Sequence, residues 1–274
     1  MHARLIITLV LLIAALSLEA TVPRAVTETG VLPAAIIGKA GALQGENVAY
    51  FQADPKAMGY LAVPEGQGPF PAVILIHEWN GLVPRVKETA DAFAAEGYVA
   101  LAADLYSGRL GSNPEENMAL VRETLAQPDQ LIANLNAAVQ LLKGRNDATG
   151  KVATIGWCYG GGVALSFAMG GEHHDGTAIF YGRLLDDPEQ MKHIHHEIYG
   201  TFAKNDQNIP VDSVNKFVAT LRSIGIRNDV HIYDAVNHGF WLHVDSDPAT
   251  NTGPAIDAWD RLRAYLKRTL ATDS

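Results

Sequence analysis

The sequence has very little cysteine and a deficit of basic residues. A single cysteine, Cys158, stands among 274 residues, so the chain cannot form an internal disulfide. The 21 Lys and Arg residues are outnumbered by 30 Asp and Glu residues, which gives a formal net charge of -9. Proteins that bind nucleic acid usually concentrate Lys and Arg on one face. We therefore expect no nucleic-acid partner, and small uncharged or cationic ligands remain open.

The apolar run near the start of the chain is too short to cross a membrane. It extends over residues 5–16, whereas a spanning helix needs roughly 20 apolar residues. Arg4 precedes this run, and small or polar residues lead from it to Ala20, which is typical of a secretory signal. We predict a signal peptide over residues 1–20, a periplasmic or secreted location, and no stable membrane association after cleavage. Because Leu18 stands where a small residue is preferred, an uncleaved anchor is the alternative.

The cysteine lies in the glycine-rich stretch TIGWCYGGG, residues 154–162. A lone cysteine in an exported protein is either a small buried hydrophobe or a reactive thiol. The preceding residues predict a strand and the following residues a helix, which places Cys158 on the turn between them. The pattern G-W-C-Y-G, with Gly156 and Gly160, fits a nucleophile elbow in which cysteine replaces the usual serine. The stretch contains neither G-x-x-x-x-G-K-[ST] nor G-x-G-x-x-G, and we expect no cofactor.

Strand-like and helix-like segments alternate on both sides of this turn. The alternation predicts an α/β fold with a mostly parallel sheet and helices on both faces. Residues 47–66 predict a two-stranded hairpin at the edge of that sheet, residues 21–44 a flexible arm or linker, and residues 45–274 one domain. Strands are predicted at 72–77, 98–104, 151–157, 177–182, 197–206 and 229–238, and helices around 85–97, 131–142, 160–171, 211–224 and 254–270.

Three residues with catalytic chemistry follow predicted strands. Cys158, Asp206 and His238 each stand at the carboxyl end of a strand, where catalytic groups collect in an open parallel sheet. Their order along the chain is nucleophile, acid, histidine, which is the order of the α/β hydrolases. Taken singly, Asp206 could be a turn residue and His238 a surface group. Their joint placement predicts a catalytic triad.

Five short motifs resemble those of the dienelactone hydrolase family, the cysteine branch of the α/β hydrolases. They are HEWNGL at 77–82, ADLY at 103–106, GWCYGG at 156–161, AKND at 203–206 and NHGF at 237–240. The similarity extends over roughly residues 45–270 and implies the α/β-hydrolase fold for the domain. It also implies a role for Glu78, because its family counterpart contacts the thiol and helps to ionise it when substrate binds.

The resemblance implies hydrolysis of an ester or lactone through a thioester intermediate. The Cys158 thiolate would attack the carbonyl carbon after the rest of the triad and Glu78 have taken up its proton. The backbone N–H groups of Trp79 and Tyr159 are expected to hold the tetrahedral oxyanion. The expected activity is that of a carboxymethylenebutenolidase-like hydrolase acting on a small molecule. A non-catalytic binding protein of the same fold is the alternative, and the complete set of catalytic residues favours the enzyme.

The motifs define the substrate pocket less closely. Family members specific for dienelactone hold the substrate carboxylate with arginines, one of them a few residues beyond the histidine, but HGFWLH at 238–243 contains none. Arg109 and Arg183 follow predicted strand ends and are the candidate substitutes, although such arginines are more often ordinary surface charges. The aromatic residues Tyr106 and Trp241 are expected to line the pocket.

Two histidine-rich segments stand outside these motifs, EHHDG at 172–176 and KHIHHE at 192–197. Imidazole and carboxylate are common zinc ligands. The spacing matches no familiar metal motif, however, and both segments fall in predicted loops. We therefore predict a solvent-exposed, pH-sensitive surface here and no metal site.

Overall fold

The apolar runs of the sequence become the strands of one sheet. The computed structural model describes residues 29–272, so the predicted signal peptide lies outside the described residues. Eight strands form a sheet in the order β1-β2-β4-β3-β5-β6-β7-β8. They are β1 (Glu46–Ala49), β2 (Met58–Ala62), β3 (Phe70–Ile76), β4 (Val99–Ala103), β5 (Ala148–Trp157), β6 (Gly176–Phe180), β7 (Ile198–Ala203) and β8 (Asn228–Tyr233).

The sheet is parallel from β4 to β8 and antiparallel at one edge. β1 pairs with β2, and β2 with β4, in antiparallel register. Every pair from β4 through β3 and on to β8 is parallel. The predicted parallel sheet and its edge hairpin are both confirmed. The parallel arrangement brings the carboxyl ends of β3, β5, β6, β7 and β8 to one edge of the sheet.

Helices cover both faces of the sheet. They are α1 (Pro84–Ala95), α2 (Pro114–Leu125), α3 (Pro128–Lys143), α4 (Tyr159–Gly170), α5 (Pro188–Met191), α6 (Val211–Ser223) and α7 (Pro248–Thr269), with a short 3-10 turn at Val244–Ser246. Along β3, Val73 and Leu75 pack in one apolar cluster with residues of α1 and α7. Ile74 and Ile76 point to the other side and pack with residues of α3 and α4. This alternation is the period-two pattern of a strand buried on both faces.

Three helices differ from the prediction, since α7 begins earlier than expected and neither α2 nor the short α5 was predicted. The last helix begins at Pro248 rather than near residue 254, because the Asp247 carboxylate caps it by accepting from the Thr250 N–H at 3.3 Å. Pro254 therefore lies inside the helix. Helix α2 was not predicted at all, and Asn113 caps it by accepting from the Glu116 N–H at 3.0 Å.

The described part of the predicted flexible arm is packed against the domain. Ile36 is fully buried and joins the apolar cluster that contains α1 and α7. Its carbonyl oxygen accepts from the Val244 N–H at 3.0 Å. Around Ile36, within the predicted flexible arm or linker, the chain is thus anchored to the domain by a buried side chain. None of the helices described within residues 29–272 combines the length and apolar character needed to cross a membrane.

Candidate active site

Cys158 occupies a sharp turn between β5 and α4, at the carboxyl edge of the parallel strands. Its φ of 55° and ψ of -116° lie outside the regions that residues with a side chain favour, so the backbone is strained here. The Cys158 N–H donates to the Phe180 carbonyl at 3.0 Å, and the Cys158 carbonyl accepts from Gly161 at 3.1 Å. These bonds hold the strained residue in place. The residue is partly exposed, as a nucleophile must be.

The two glycines that flank Cys158 are steric requirements of this turn. A Cβ atom on Gly156 would lie 2.0 Å from the carbonyl oxygen of Gly160. A Cβ atom on Gly160 would lie 2.2 Å from the carbonyl oxygen of Ile76. Both neighbours are backbone atoms that cannot rotate away, so only glycine fits. The G-W-C-Y-G pattern therefore has the physical basis that the sequence analysis gave it.

His238 connects the thiol to Asp206. The His238 Nδ1 atom lies 2.7 Å from Oδ2 of Asp206, which leaves Nε2 for the Cys158 side chain on the other side of the ring. Burial opposes a charge on His238, but the bonds to Asp206 and Cys158 outweigh it and raise the pKa of His238 to about 10. At neutral pH His238 is therefore an imidazolium beside Cys158.

Asp206 is held by the backbone that follows β7. Its Oδ1 atom accepts from the N–H groups of Asn208 at 2.8 Å and Ile209 at 3.1 Å. Burial opposes ionisation of this carboxyl, yet the bonds from His238, Asn208 and Ile209 lower the pKa of Asp206 below its usual value. The carboxylate is therefore ionised and fixed in orientation, as a residue that positions an imidazole must be.

Glu78 follows β3 and bonds to a histidine that the sequence analysis did not single out. Its Oε2 atom lies 2.7 Å from Nε2 of His243, and Glu78 is only 6% exposed. The bond to Glu78 outweighs burial and raises the pKa of His243. In the structure Glu78 is thus paired with His243, and among the described residues it makes no hydrogen bond to Cys158.

Tyr181 lies between these groups, at the end of β6. Its ring is 4.9 Å from the His238 ring, and its hydroxyl accepts from the Leu242 N–H at 3.3 Å. Burial, with the negative charges of Glu78, Cys158 and Asp206, raises the pKa of Tyr181 far above its usual value. The neutral phenol therefore packs against the imidazole and ties the segment after His238 to the sheet.

Two backbone N–H groups near the elbow, those of Tyr159 and Trp79, have no protein acceptor among the described residues. Tyr159 is the first residue of α4, so its N–H has no acceptor within the helix. The Trp79 N–H comes just after Glu78. Within residues 29–272, neither N–H donates to another protein group. Unsatisfied donors at this position are what an oxyanion hole requires.

A buried histidine fixes the loop that carries Trp79. His77 Nδ1 lies 2.6 Å from the Glu78 carbonyl oxygen, which can only accept, so Nδ1 carries the proton. His77 Nε2 then accepts from the Leu105 N–H at 3.3 Å. Burial lowers the pKa of His77 to about 4, so the ring stays neutral and links the ends of β3 and β4. The Tyr106 hydroxyl donates to the Trp79 carbonyl at 3.2 Å.

Comparison with known proteins shows the family to which this chain belongs. The sequence model of the dienelactone hydrolase family matches residues 57–270, most of the chain. This chain belongs to the dienelactone hydrolase family.

Individual relatives are similar over most of their length. Protein usf of Aquifex pyrophilus is 31% identical over 82% of this chain and 99% of that protein. An Aquifex aeolicus protein with the provisional name carboxymethylenebutenolidase is 30% identical over 81% of this chain and 100% of that protein. The crystal structure of a dienelactone hydrolase-like promiscuous phosphotriesterase from metagenomic libraries has a TM-score of 0.75 at 21% identity, over 84% of this chain and 100% of that chain. At that identity the last similarity concerns the fold alone, which is the α/β-hydrolase fold.

Two of the predicted pocket residues have other roles in this dienelactone hydrolase family member. Trp241 is fully buried, and its ring stacks on Trp157 at 5.8 Å. The prediction that it lines the pocket is wrong, because its side chain turns into the aromatic core. Arg109 donates to both carboxylate oxygens of Glu123, at 2.8 and 2.7 Å, so its charge is already paired.

Tyr106 and Arg183 lie near the elbow in different settings. Tyr106 is fully buried and supports the Trp79 loop, so it does not offer an exposed pocket wall. Arg183 is exposed and forms no ion pair with another described residue. A Cβ atom on Gly162, in the first turn of α4, would lie 3.4 Å from the Arg183 Cβ atom. Arg183 is therefore a cation close to the turn that carries Cys158.

The histidine-rich segments are only partly exposed, contrary to the prediction. His173, His193 and His195 are exposed, but His174 is 2% exposed and His196 is partly buried. Both bond to the hydroxyl of Thr177. Within residues 29–272, no three His, Cys, Asp or Glu side chains converge in a way that could hold a metal ion.

The sequence analysis missed three residues of the site, which are His77, Tyr181 and His243. His77 stands inside the HEWNGL motif and His243 at the end of HGFWLH, but neither pattern shows which way the ring points. Tyr181 has a φ of 40°, a conformation that no sequence rule assigns to a tyrosine before glycine. For His77 and His243, a histidine within the segment HEWNGL or HGFWLH was the signal available.

Proposed function

We propose that this protein is a cysteine hydrolase that cleaves small carboxylic esters or lactones through a thioester. The observation that carries the proposal is the arrangement at the elbow. The strained Cys158 meets His238, whose Nδ1 lies 2.7 Å from Asp206, and the N–H groups of Trp79 and Tyr159 donate to no other described protein group. Nucleophile, base, orienting acid and oxyanion donors are the parts that acyl transfer needs.

In the first half of the reaction, the Cys158 thiolate attacks the carbonyl carbon. A C–S bond forms and the carbonyl electron pair moves to the oxygen, where the two backbone N–H groups stabilise it. When this tetrahedral intermediate collapses, the C–O bond to the alcohol breaks. The leaving alkoxide takes the proton from the His238 imidazolium, and a thioester remains.

In the second half, water replaces the thiol. Neutral His238 removes a proton from the attacking water, and the tetrahedral intermediate forms again on the same N–H groups. The C–S bond then breaks, which releases the carboxylic acid and restores the thiolate and imidazolium. Losing one oxyanion donor typically costs roughly 100- to 1,000-fold in rate.

Glu78 supports this chemistry from beside the thiol. It is a buried carboxylate whose charge is balanced by His243 at 2.7 Å. Its charge and that of Cys158 both act on Tyr181, so the two groups lie in one electrostatic environment. We assign Glu78 the role that the family resemblance implies, which is to help ionise Cys158 when substrate binds.

The arginines near the elbow decide whether the site can accept a negatively charged substrate. Arg109 is paired with Glu123, and Leu242 rather than an arginine lies four residues after His238. Only Arg183, of the two candidate arginines, is free to meet a substrate carboxylate. We therefore expect uncharged esters and lactones to be accepted, with carboxylated ones dependent on Arg183.

The decisive experiment is a hydrolysis assay combined with mass spectrometry. A panel of aryl acetates and butyrates, simple lactones and one carboxylated ester is offered to the purified protein with and without iodoacetamide. We expect hydrolysis that alkylation abolishes, and a transient mass increase of one acyl group. Cys158→Ala should lose more than about 1,000-fold in kcat/KM and never acquire the acyl mass.

Ser166→Ala serves as the matched control, because Ser166 lies on α4, is exposed and bonds only within its own helix. It should retain full activity. Hydrolysis that persists in Cys158→Ala would overturn the cysteine mechanism. A protein that binds these esters without cleaving them would instead be the non-catalytic binding protein of the same fold.

We also propose that the protein is exported, from the sequence of its first 20 residues. The test is cell fractionation followed by N-terminal sequencing. A mature form that lacks the apolar run, found in the periplasm or the medium, is the expected result. An intact N-terminus confined to the cytoplasmic fraction would contradict it.

A further inference from the structure

A second group of buried titratable side chains lies at the opposite end of the sheet from Cys158. It consists of Thr154 on β5, Thr177 on β6, His174 in the loop after α4 and His196 just before β7, and we call it the histidine–threonine cluster. The proposed reaction uses none of these residues. All of them meet at one atom, Oγ1 of Thr177.

The distances at Thr177 define three hydrogen bonds. Its Oγ1 atom lies 3.0 Å from Nε2 of His174 and 2.8 Å from Nε2 of His196. The Thr154 hydroxyl donates to the same oxygen at 3.2 Å. A hydroxyl offers one proton and two lone pairs, so three partners satisfy it completely.

The positions of the protons follow from these contacts. His174 Nδ1 lies 3.0 Å from the Glu172 carbonyl oxygen, which can only accept, so Nδ1 carries the proton and Nε2 is an acceptor. Thr177 must therefore donate its proton to His174. Its two lone pairs then accept from Thr154 and from the Nε2–H of His196. This arrangement satisfies all four groups with both histidines neutral.

Adding two protons to the cluster breaks it. When one histidine is charged, the other can present an unprotonated Nε2 atom that accepts the Thr177 proton. When His174 and His196 are both charged, Thr177 faces three donors with two lone pairs, and its own proton has no acceptor among these groups. The cluster therefore excludes the doubly protonated state.

The surroundings give little support to a positive charge. His174 stacks on Phe167 of α4 at 4.9 Å, and its nearest titratable neighbours are His173, Asp175 and Lys143. Asp175, the only acid among them, is already bound by Lys151 at 2.9 Å. Burial is the main cause that lowers the pKa of His174, to about 4.

His196 has a similar environment. Its charged and titratable neighbours are His174, His173 and Asp175, and its ring centroid is 4.6 Å from that of His174. Burial, then repulsion between the two imidazoles, lowers the pKa of His196 to about 3. The adjacent Glu197 is paired with Arg268 at 2.7 Å and so does not offset a charge on His196.

We infer that the histidine–threonine cluster is an acid-sensitive latch. It ties the loop after α4 and the entry to β7 onto the first residues of β6, and protonation of its histidines releases them. Because α4 carries Cys158 at its other end, release at this end loosens the helix on which the elbow depends. Below about pH 5 the protein should open first at residues 172–177 and 194–198.

The sign of the effect follows from linkage. Both histidines take up protons more readily in the unfolded chain, where the pKa is about 6.5. The stabilisation is therefore complete above pH 6.5 and is lost as pH falls toward the lower pKa of the folded state. Each histidine changes the unfolding equilibrium constant by up to about tenfold per pH unit in that window.

The test compares urea unfolding at pH 7.5 and pH 5 in the wild type, in the double variant His174→Gln/His196→Gln and in His195→Gln. His195 is exposed and adjacent to His196, so it is the matched control. The wild type and His195→Gln should show an acid-induced increase in the unfolding constant that is on the order of 10- to 100-fold larger than in the double variant. Equal increases in all three proteins would overturn the latch.

A measurement on the wild type guards against a double variant that does not fold. NMR titration should keep the His174 and His196 rings neutral to below pH 5. Amide hydrogen exchange of residues 172–177 should then accelerate before that of β3. Titration of both rings at the pKa of an unfolded histidine, or uniform protection down to pH 4.5, would contradict the inference.

Discussion

Asp206 controls the charge on His238, because its carboxylate lies 2.7 Å from Nδ1. Asp206→Asn keeps the shape but removes the negative charge that raises the pKa of His238. We expect the pKa of His238 to fall, so that the imidazolium loses its proton at lower pH than in the wild type. NMR titration of the His238 ring against pH measures this. Activity should fall roughly 100-fold or more.

The pH profile separates this role from a structural one. In the wild type the His238 imidazolium should persist until pH rises through its pKa of about 10. In Asp206→Asn this alkaline limit should move to lower pH. Lys204→Gln is a suitable control, because Lys204 is exposed on the same segment and pairs with Asp234 instead. An unshifted alkaline limit in Asp206→Asn would show that Asp206 does not set the charge on His238.

His243 and Glu78 should act as one unit. Removing either partner leaves the other without its hydrogen bond, and a lone Glu78 carboxylate would be buried without a counter-charge. We expect His243→Gln and Glu78→Gln each to lower kcat/KM by about tenfold, and the double variant to lose no more than one of them. A double-mutant cycle measures this coupling. Independent, additive losses would show that His243 acts on something other than Glu78.

The effect of His243 on stability also depends on pH. Its pKa is raised in the folded protein, so its stabilisation is present below the unfolded pKa of about 6.5 and is lost as pH rises through the folded value. Since the His243 side chain is 39% exposed, we expect only about 0.5 kcal/mol. The difference between wild type and His243→Gln in urea should therefore shrink at alkaline pH.

The strands could be predicted from the sequence, whereas part of the helices and of the site could not. Buried parallel strands read as apolar runs, and β3 and β4 do so throughout. Helix α2 buries only Asn117, Leu120 and Thr124, which is too weak an apolar stripe to produce a periodic pattern. The segment 238–246 has no regular element until its final turn, so packing alone decides that Trp241 turns inward and His243 reaches Glu78.

The elbow between β5 and α4 should be intolerant of a single methyl group. Gly160→Ala places Cβ 2.2 Å from the Ile76 carbonyl, so β3 or the elbow must shift. We expect a loss of about 1–3 kcal/mol in the free energy of unfolding and a larger loss of activity, because Tyr159 and Cys158 move with the turn. Urea unfolding and ester hydrolysis measure the two effects.

The matched control lies at the other end of α4. A Cβ atom on Gly170 would meet nothing within 4 Å, and alanine favours a helix by about 0.5–1 kcal/mol over glycine. Gly170→Ala should therefore leave activity unchanged and stability equal or slightly higher. If Gly160→Ala behaved like Gly170→Ala, the close packing of the elbow against β3 would be refuted.

The arm joins the catalytic edge to the rest of the protein. Ile36 is buried among α1 and α7, and its carbonyl holds Val244 at 3.0 Å, next to His243. Asp245 is bound in turn by Arg85 of α1 through two bonds, at 3.0 and 2.7 Å. The segment that carries His243 is thus held between the arm and α1, so the arm should affect both folding and catalysis.

Removing the arm should therefore destabilise the protein and weaken the site together. A chain that begins at residue 45 loses the buried Ile36 side chain, for which we expect about 2–5 kcal/mol, and the backbone bond to Val244. A chain that begins at residue 31 keeps both and serves as the control. We expect the chain that begins at residue 45 to unfold at lower urea concentration and to have a lower kcat, whereas the control should change in neither. In the same chain, the coupling between Glu78 and His243 should be weaker. Equal stability and activity in the two chains would mean that the domain positions His243 without the arm.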